Sequence, residues 1–340
     1  MNIIEKEETI SYFDLSANQS SDMKPFLNFD QMKNELSIAS EINNAQVIIE
    51  PIEICDAIDF LKHHNFYSFS IYKKCLPANE VNTFSFNDCK LIYQFDLFLR
   101  RNLQVFTGYI ENLIKCTIIT SLCSNYNGKL QVGECYLDPE IYRTTDLYEN
   151  FKKMFGTRIY QNKKSLPIKH HIDNKDGHIP LWVIMPELTF GETTKFIDSL
   201  TEEVQDNWVD YLFLENQYYK NETSLHPHIK KVSTSWISAS WYIRNRTAHS
   251  SRLYGLNLNI ANPSFYAPTL RKLKTKRKSD NKDLFSYMLA MKQILVCHDD
   301  DVISQWNSFI NEIDNKIDNT IVFLRKIGFV DFFKEHLLIE

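Results

Sequence analysis

The chain has 340 residues, a net charge of -5, 44% hydrophobic and 24% charged residues, which is enough for one large or two ordinary domains and unlike a disordered or collagen-like chain. Its 8 glycines stand singly, so neither a Gly-x-Gly-x-x-Gly turn nor a Gly-x-x-x-x-Gly-Lys phosphate loop exists, which disfavours dinucleotide oxidoreductases and P-loop nucleotidases. The 7 cysteines are scattered with no Cys-x-x-Cys pair, and are expected to be reduced, mostly buried thiols. An acidic, polar start and no apolar run of about 18 residues predict a soluble, cytoplasmic protein with no membrane partner.

Residues 1–23 carry little apolar periodicity and are expected to form a flexible extension. In 24–80 two helical patterns, at 29–39 and 52–63, flank the β-branched Val47-Ile48-Ile49, predicting a small helical or winged module. Residues 87–123 form the longest periodic stretch, with Asn87 or Asp88 as the expected cap and Leu91, Phe95, Phe98, Leu103, Phe106, Ile110 and Leu113 on one side. The polar stretch 124–180 reads as an irregular, exposed insertion, and Thr189-Phe190-Gly191-Glu192 opens a helix through Leu200. Further helices are expected at 233–253, 283–295 and 302–326, with Gly328 as a C-cap. The fold class is therefore mainly α, with 81–340 as the large helical domain.

The chemistry concentrates in the predicted helix 233–253, where Arg244, Asn245, Arg246, His249 and Arg252 fall together beside an apolar stripe. Asn245 and His249 lie one turn apart, whereas Arg244 is displaced from His249 by about 140° around the axis. One copy closes poorly on a phosphate. Two copies across a symmetric pair of helices would bring guanidinium groups and imidazoles into one cleft, so a homodimer is expected.

Several segments together resemble the Abi-like abortive-infection proteins of the AbiD/AbiF type, within the HEPN superfamily of ribonucleases. Arg244-Asn245-Arg246-Thr247-Ala248-His249 has the Arg-x4-His form of that superfamily, and Arg252-Leu253 extends it. Lys24-Pro25-Phe26-Leu27, the aromatic block 65–72, the stretch 92–100 with its Tyr93-Gln94-Phe95-Asp96 and Leu99-Arg100, continued by Ile110-Glu111, and the pair Pro180-Leu181-Trp182-Val183 and Leu188-Thr189-Phe190-Gly191 resemble further blocks, over about 24–330. The resemblance implies a HEPN-type helical bundle and a metal-independent endoribonuclease of antiphage defence, needing no cofactor and taking RNA as partner. His249 would exchange protons, Arg244 would clamp the phosphate and Asn245 would orient the ring or a phosphate oxygen. The 2′-OH of RNA would serve as nucleophile, leaving a 2′,3′-cyclic phosphate and a 5′-OH.

Arg246 and Arg252 are candidate RNA contacts, as are Lys163 and Lys164 and the run Arg271, Lys272, Lys274, Lys276, Arg277 and Lys278, six basic residues in eight positions. Arg100 and Glu111 are expected to pair within their helix, and Phe66, Tyr67, Phe69 and Tyr72 to build core rather than stack bases. His226-Pro227-His228, with a proline kink, and His298-Asp299, before a helix capped by Asp300 or Asp301, are read as structural and not as metal ligands. Two other readings stay open: a HEPN protein that holds a structured non-coding RNA without cutting it, and a DNA-binding regulator using the 29–75 module.

Overall fold

The computed structural model describes residues 24–78, 82–220, 226–265, 281–317 and 320–340. The first helix, α1 (Phe29–Ser37), begins at a reciprocal cap, the Asn28 side chain accepting from the Gln31 N–H and Gln31 accepting from the Asn28 N–H, which satisfies two otherwise orphaned donors. Strand β1 (Gln46–Ile48), helices α2 (Ile54–His63) and α3 (Phe66–Ser70) and strand β2 (Thr83–Ser85) follow. β2, which the sequence does not predict, is three residues long; it pairs with β1 in parallel, Val47 opposite Phe84, so the strands do not form the antiparallel hairpin of a wing. Phe66, Phe69 and Tyr72 are buried, and the Phe69 ring lies 5.2 Å from that of Phe86, which makes the aromatic block part of the core.

Helix α4 (Phe86–Asn125) runs for 40 residues, about 60 Å at 1.5 Å per residue. Its cap is Ser85 rather than Asn87 or Asp88: the Ser85 hydroxyl accepts from the Asp88 N–H, and the Asp88 carboxylate accepts from the Ser85 N–H. The expected irregular insertion at 124–180 instead holds two helices, α5 (Thr145–Gln161) and α6 (Leu166–Asn174), joined to α4 by 3-10 turns. α5 buries only Phe151 and Phe155, and α6 only Ile168, stripes too narrow to leave a clear period in the sequence.

Short helices α7 (Leu181–Ile184), α8 (Phe190–Ser199), α9 (Glu202–Val209) and α10 (Gln217–Lys220) lead to α11 (His226–Ala248). Thr189 and Glu192 form the reciprocal cap of α8. Pro227 is the second described residue of α11, which runs on to Ala248, and a proline in a first helical turn is well tolerated. α11 packs on α4 and on α12 (Leu284–Leu295), and every residue of α12 is buried, as for a helix enclosed by protein on all sides.

The predicted helix 302–326 is shorter. α13 (Asp300–Glu312) is capped by Asp299, not by Asp300 or Asp301, and tightens into a 3-10 turn at Ile313–Lys316, where the Asp314 carboxylate pairs with Lys334 at 2.6 Å. Gly328, at φ 82°, ends the 3-10 turn Leu324–Ile327, and α14 (Phe333–Leu337) closes the chain. The cysteines are all free, but only Cys75, Cys89 and Cys135 are buried, while Cys55 and Cys116 are exposed. No helix among the described residues is long and apolar enough to cross a membrane.

Gly191 sets how closely α8 approaches α11, since a Cβ there would come within 2.8 Å of Trp241 Nε1. Gly191→Ala is expected to lower stability, because overpacking costs about 1–3 kcal/mol and exceeds the gain of up to about 1 kcal/mol from helix propensity. A lower urea midpoint at unchanged m-value would report it.

Candidate active site

The site residues gather where α11 ends, five residues earlier than the sequence suggests. Asn245 O still accepts from the His249 N–H at 3.0 Å, so His249 completes the last turn. Ser250 then turns left-handed, at φ 52°, while its N–H donates to Thr247 O at 3.0 Å and the Ser251 N–H donates to Arg246 O at 2.8 Å. This is the paired closure that normally carries glycine at the left-handed position.

His249 is exposed and Asn245 half-buried. The Arg244 side chain is 38% exposed, with Nε 3.5 Å from Glu111 Oε2 and a terminal nitrogen 3.5 Å from Asn245 Oδ1. Glu111 is held in turn by Lys115, whose Nζ lies 2.9 Å from Glu111 Oε1 and donates to Leu188 O at 2.6 Å. Glu111 and Arg100 do pair with partners on α4, as expected, but Glu111 also reaches Arg244. The 15-residue spacing of Asp96 and Glu111 places both on the side of α4 that faces α11, about 60° apart.

Below this end of α11 lies a carboxylate with no exposure, Asp96, at 0%. Its Oδ1 accepts from the N–H groups of Leu253 at 2.9 Å and Tyr254 at 2.7 Å. Its Oδ2 accepts from the Tyr72 hydroxyl at 2.6 Å and stands 3.0 Å from Arg100 Nε, a charge contact rather than an aligned hydrogen bond. The Arg100 guanidinium donates onward to Ser250 O at 2.8 Å. Burial and the neighbouring Asp96 hold the Tyr72 hydroxyl far above its ordinary pKa, so it remains a donor.

Arg246 and Arg252 both have partners within the chain. Arg246 donates to Arg252 O at 2.6 Å and lies over the Tyr242 ring. Arg252 has left the helix and donates to Cys75 Sγ at 2.9 Å. Burial pushes the Cys75 thiol up against the opposing pull of Arg252, so the sulfur accepts as a thiol. Lys163 and Lys164 are exposed beyond the end of α5, with Lys163 Nζ 4.2 Å from the centre of the Tyr160 ring. Arg271, Lys272, Lys274, Lys276, Arg277 and Lys278 lie outside the described residues. His298 contacts Asp299 at 3.0 Å, and Asp299 is the α13 cap.

The arrangement is that of a mainly helical protein presenting an arginine, an asparagine and a histidine at the braced end of one core helix. The model of the Abi-like protein family matches residues 59–255, more than half of the chain, and the chain belongs to that family. The match runs from α2 to the residue after Tyr254 and so contains Asp96, Arg244 and His249; Lys24-Pro25-Phe26-Leu27 and everything beyond Gly255 fall outside it. Nothing among curated proteins or solved structures matches the chain.

Proposed function

We propose that this Abi-like protein is a metal-independent endoribonuclease of the HEPN type that acts in abortive-infection defence against phage. The observation that carries the reading is the exposed His249 imidazole, for which the described residues offer no side-chain partner, set one turn beyond Asn245 and Arg244 at the end of a helix otherwise committed to the core. An RNA phosphate uses all three. Arg244 neutralises charge on the phosphorane, Asn245 orients the ring or a phosphate oxygen, and His249 takes the proton of the attacking 2′-OH or protonates the leaving 5′ oxygen. An imidazole can do either at neutral pH.

The cleft is completed by a second copy, whose α11 end supplies the other Arg244 and His249 through an isologous homodimer. The test is incubation of the purified chain with total cellular RNA in EDTA. Fragments ending in 2′,3′-cyclic phosphate and 5′-OH support the reading. Intact RNA overturns it, and a defined RNA retained uncut would mark a binding protein instead.

The basic run is assigned to RNA-backbone binding. Replacing Lys274, Lys276, Arg277 and Lys278 with glutamine is expected to flatten the salt dependence of RNA affinity by about 0.7 in log-log slope for each phosphate pairing removed on single-stranded RNA. An unchanged slope removes the run from the interface.

A further inference from the structure

We infer that the Asp96–Arg100 pair is the positioning device of His249; the inference rests on the ribonuclease reading for its catalytic consequence. Helix ends fray, because their last carbonyls have no partner within the helix. His249 stands on such an end, and its own N–H bond to Asn245 O is the last one of helical spacing. Ser250, the next residue, takes a left-handed conformation that favours glycine. Left to itself, this turn would wander and take the imidazole with it.

The segment 250–254 is tied down from α4. Arg100 grips Ser250 O, and Asp96 grips the N–H groups of both Leu253 and Tyr254. Three hydrogen bonds thus bind these five residues to one buried pair a single turn apart. Tyr72, from the α3 side, fixes the carboxylate from behind. Arg252, between the tied points, anchors to Cys75. The segments that carry these groups are far apart in sequence and converge on 250–254, the residues directly after His249. Arg244 is fixed separately, by Glu111 on the same helix, so α4 holds the two ends of the Arg244 to His249 span.

Neither Asp96 nor Arg100 would touch RNA. Their contribution is geometric, and a displacement of about 1 Å at a reacting group costs up to about a hundredfold in rate. Arg100→Gln is the variant of choice, because Asp96 keeps three donors without it. Expected are a kcat on RNA lowered by about tenfold or more, a nearly unchanged KM, and faster amide exchange at 249–254 while the buried middle of α11 keeps its protection. Arg100→Lys, which restores a charged donor, should recover part of both losses.

Exchange at 249–254 equal to the wild type in folded Arg100→Gln overturns the proposal, and so does a loss of protection with unchanged kcat. If the wild-type chain cuts no RNA, the ribonuclease reading fails on its own, and the exchange measurement alone decides whether the pair positions His249. Should Arg100→Gln not fold, Tyr72→Phe removes one donor from Asp96 and leaves the pair intact; it is expected to shift the same exchange in the same direction, and no shift counts against the proposal.

Discussion

His249→Ala is expected to lower RNA cleavage by about 10²–10⁴-fold, the range spanned by loss of a general acid or base, with the circular dichroism spectrum unchanged because the ring supports nothing in the core. Arg244→Ala should cost about 10²–10³-fold, comparable to removing one donor from a developing anion. Both are read as initial rates on a labelled RNA in EDTA. A composite site adds a sharper demand: wild-type chains mixed with excess His249→Ala chains, after subunit exchange, should lose activity beyond simple dilution. Wild-type rates from either folded variant would dismiss the assignment, and mere dilution in the mixture would dismiss the shared cleft.

The second large effect concerns stability. Asp96→Ala leaves the Arg100 guanidinium, on a residue 7% exposed, without its counter-charge and strips two backbone N–H groups and the Tyr72 hydroxyl of their acceptor. Breaking a buried pair from one side costs about 3–5 kcal/mol, a large part of the roughly 5–15 kcal/mol that stabilises a typical domain. Chemical denaturation should show this loss, and Asp96→Asn, which retains a carbonyl acceptor of nearly the same shape, should lose less. A change below about 1 kcal/mol for Asp96→Ala would mean that the carboxylate is not the hub its contacts describe.

Local patterns in the sequence carry much of the architecture. The 3.6-residue period of α4 is visible because the buried face of that helix is mostly aromatic or aliphatic, and the Thr189–Glu192 cap is visible because its residue types stand three apart. β2 is not, since three residues cannot display an alternation. The end of α11 is hidden for a different reason: Ser250 to Leu253 can continue a helix on local grounds, and their partners Asp96 and Arg100 stand some 150 positions earlier. The candidate site shows the same division. Arg244, Asn245 and His249 are legible as a spaced motif, while the intrachain partners of Arg246 and Arg252 are not, because whether an arginine meets a carbonyl or a thiol depends on the folded neighbourhood.

The parallel duties of α4 also set which changes of length this protein tolerates. Asp96 holds the turn after His249, Glu111 holds Arg244, and the helix between them acts as a ruler laid antiparallel to α11, the partner falling from Tyr254 to Arg244 as α4 advances. One residue inserted between 96 and 111 would turn Glu111 by about 100° and slide it by about 1.5 Å, parting it from Arg244 even if every side chain were kept. The joint between α4 and α5 touches neither Arg244 nor 250–254, its own bond running from the Leu130 N–H to the Tyr126 hydroxyl, so a residue inserted at 127–131 is expected to leave the site in register, whereas the 15-residue interval within α4 is fixed by geometry.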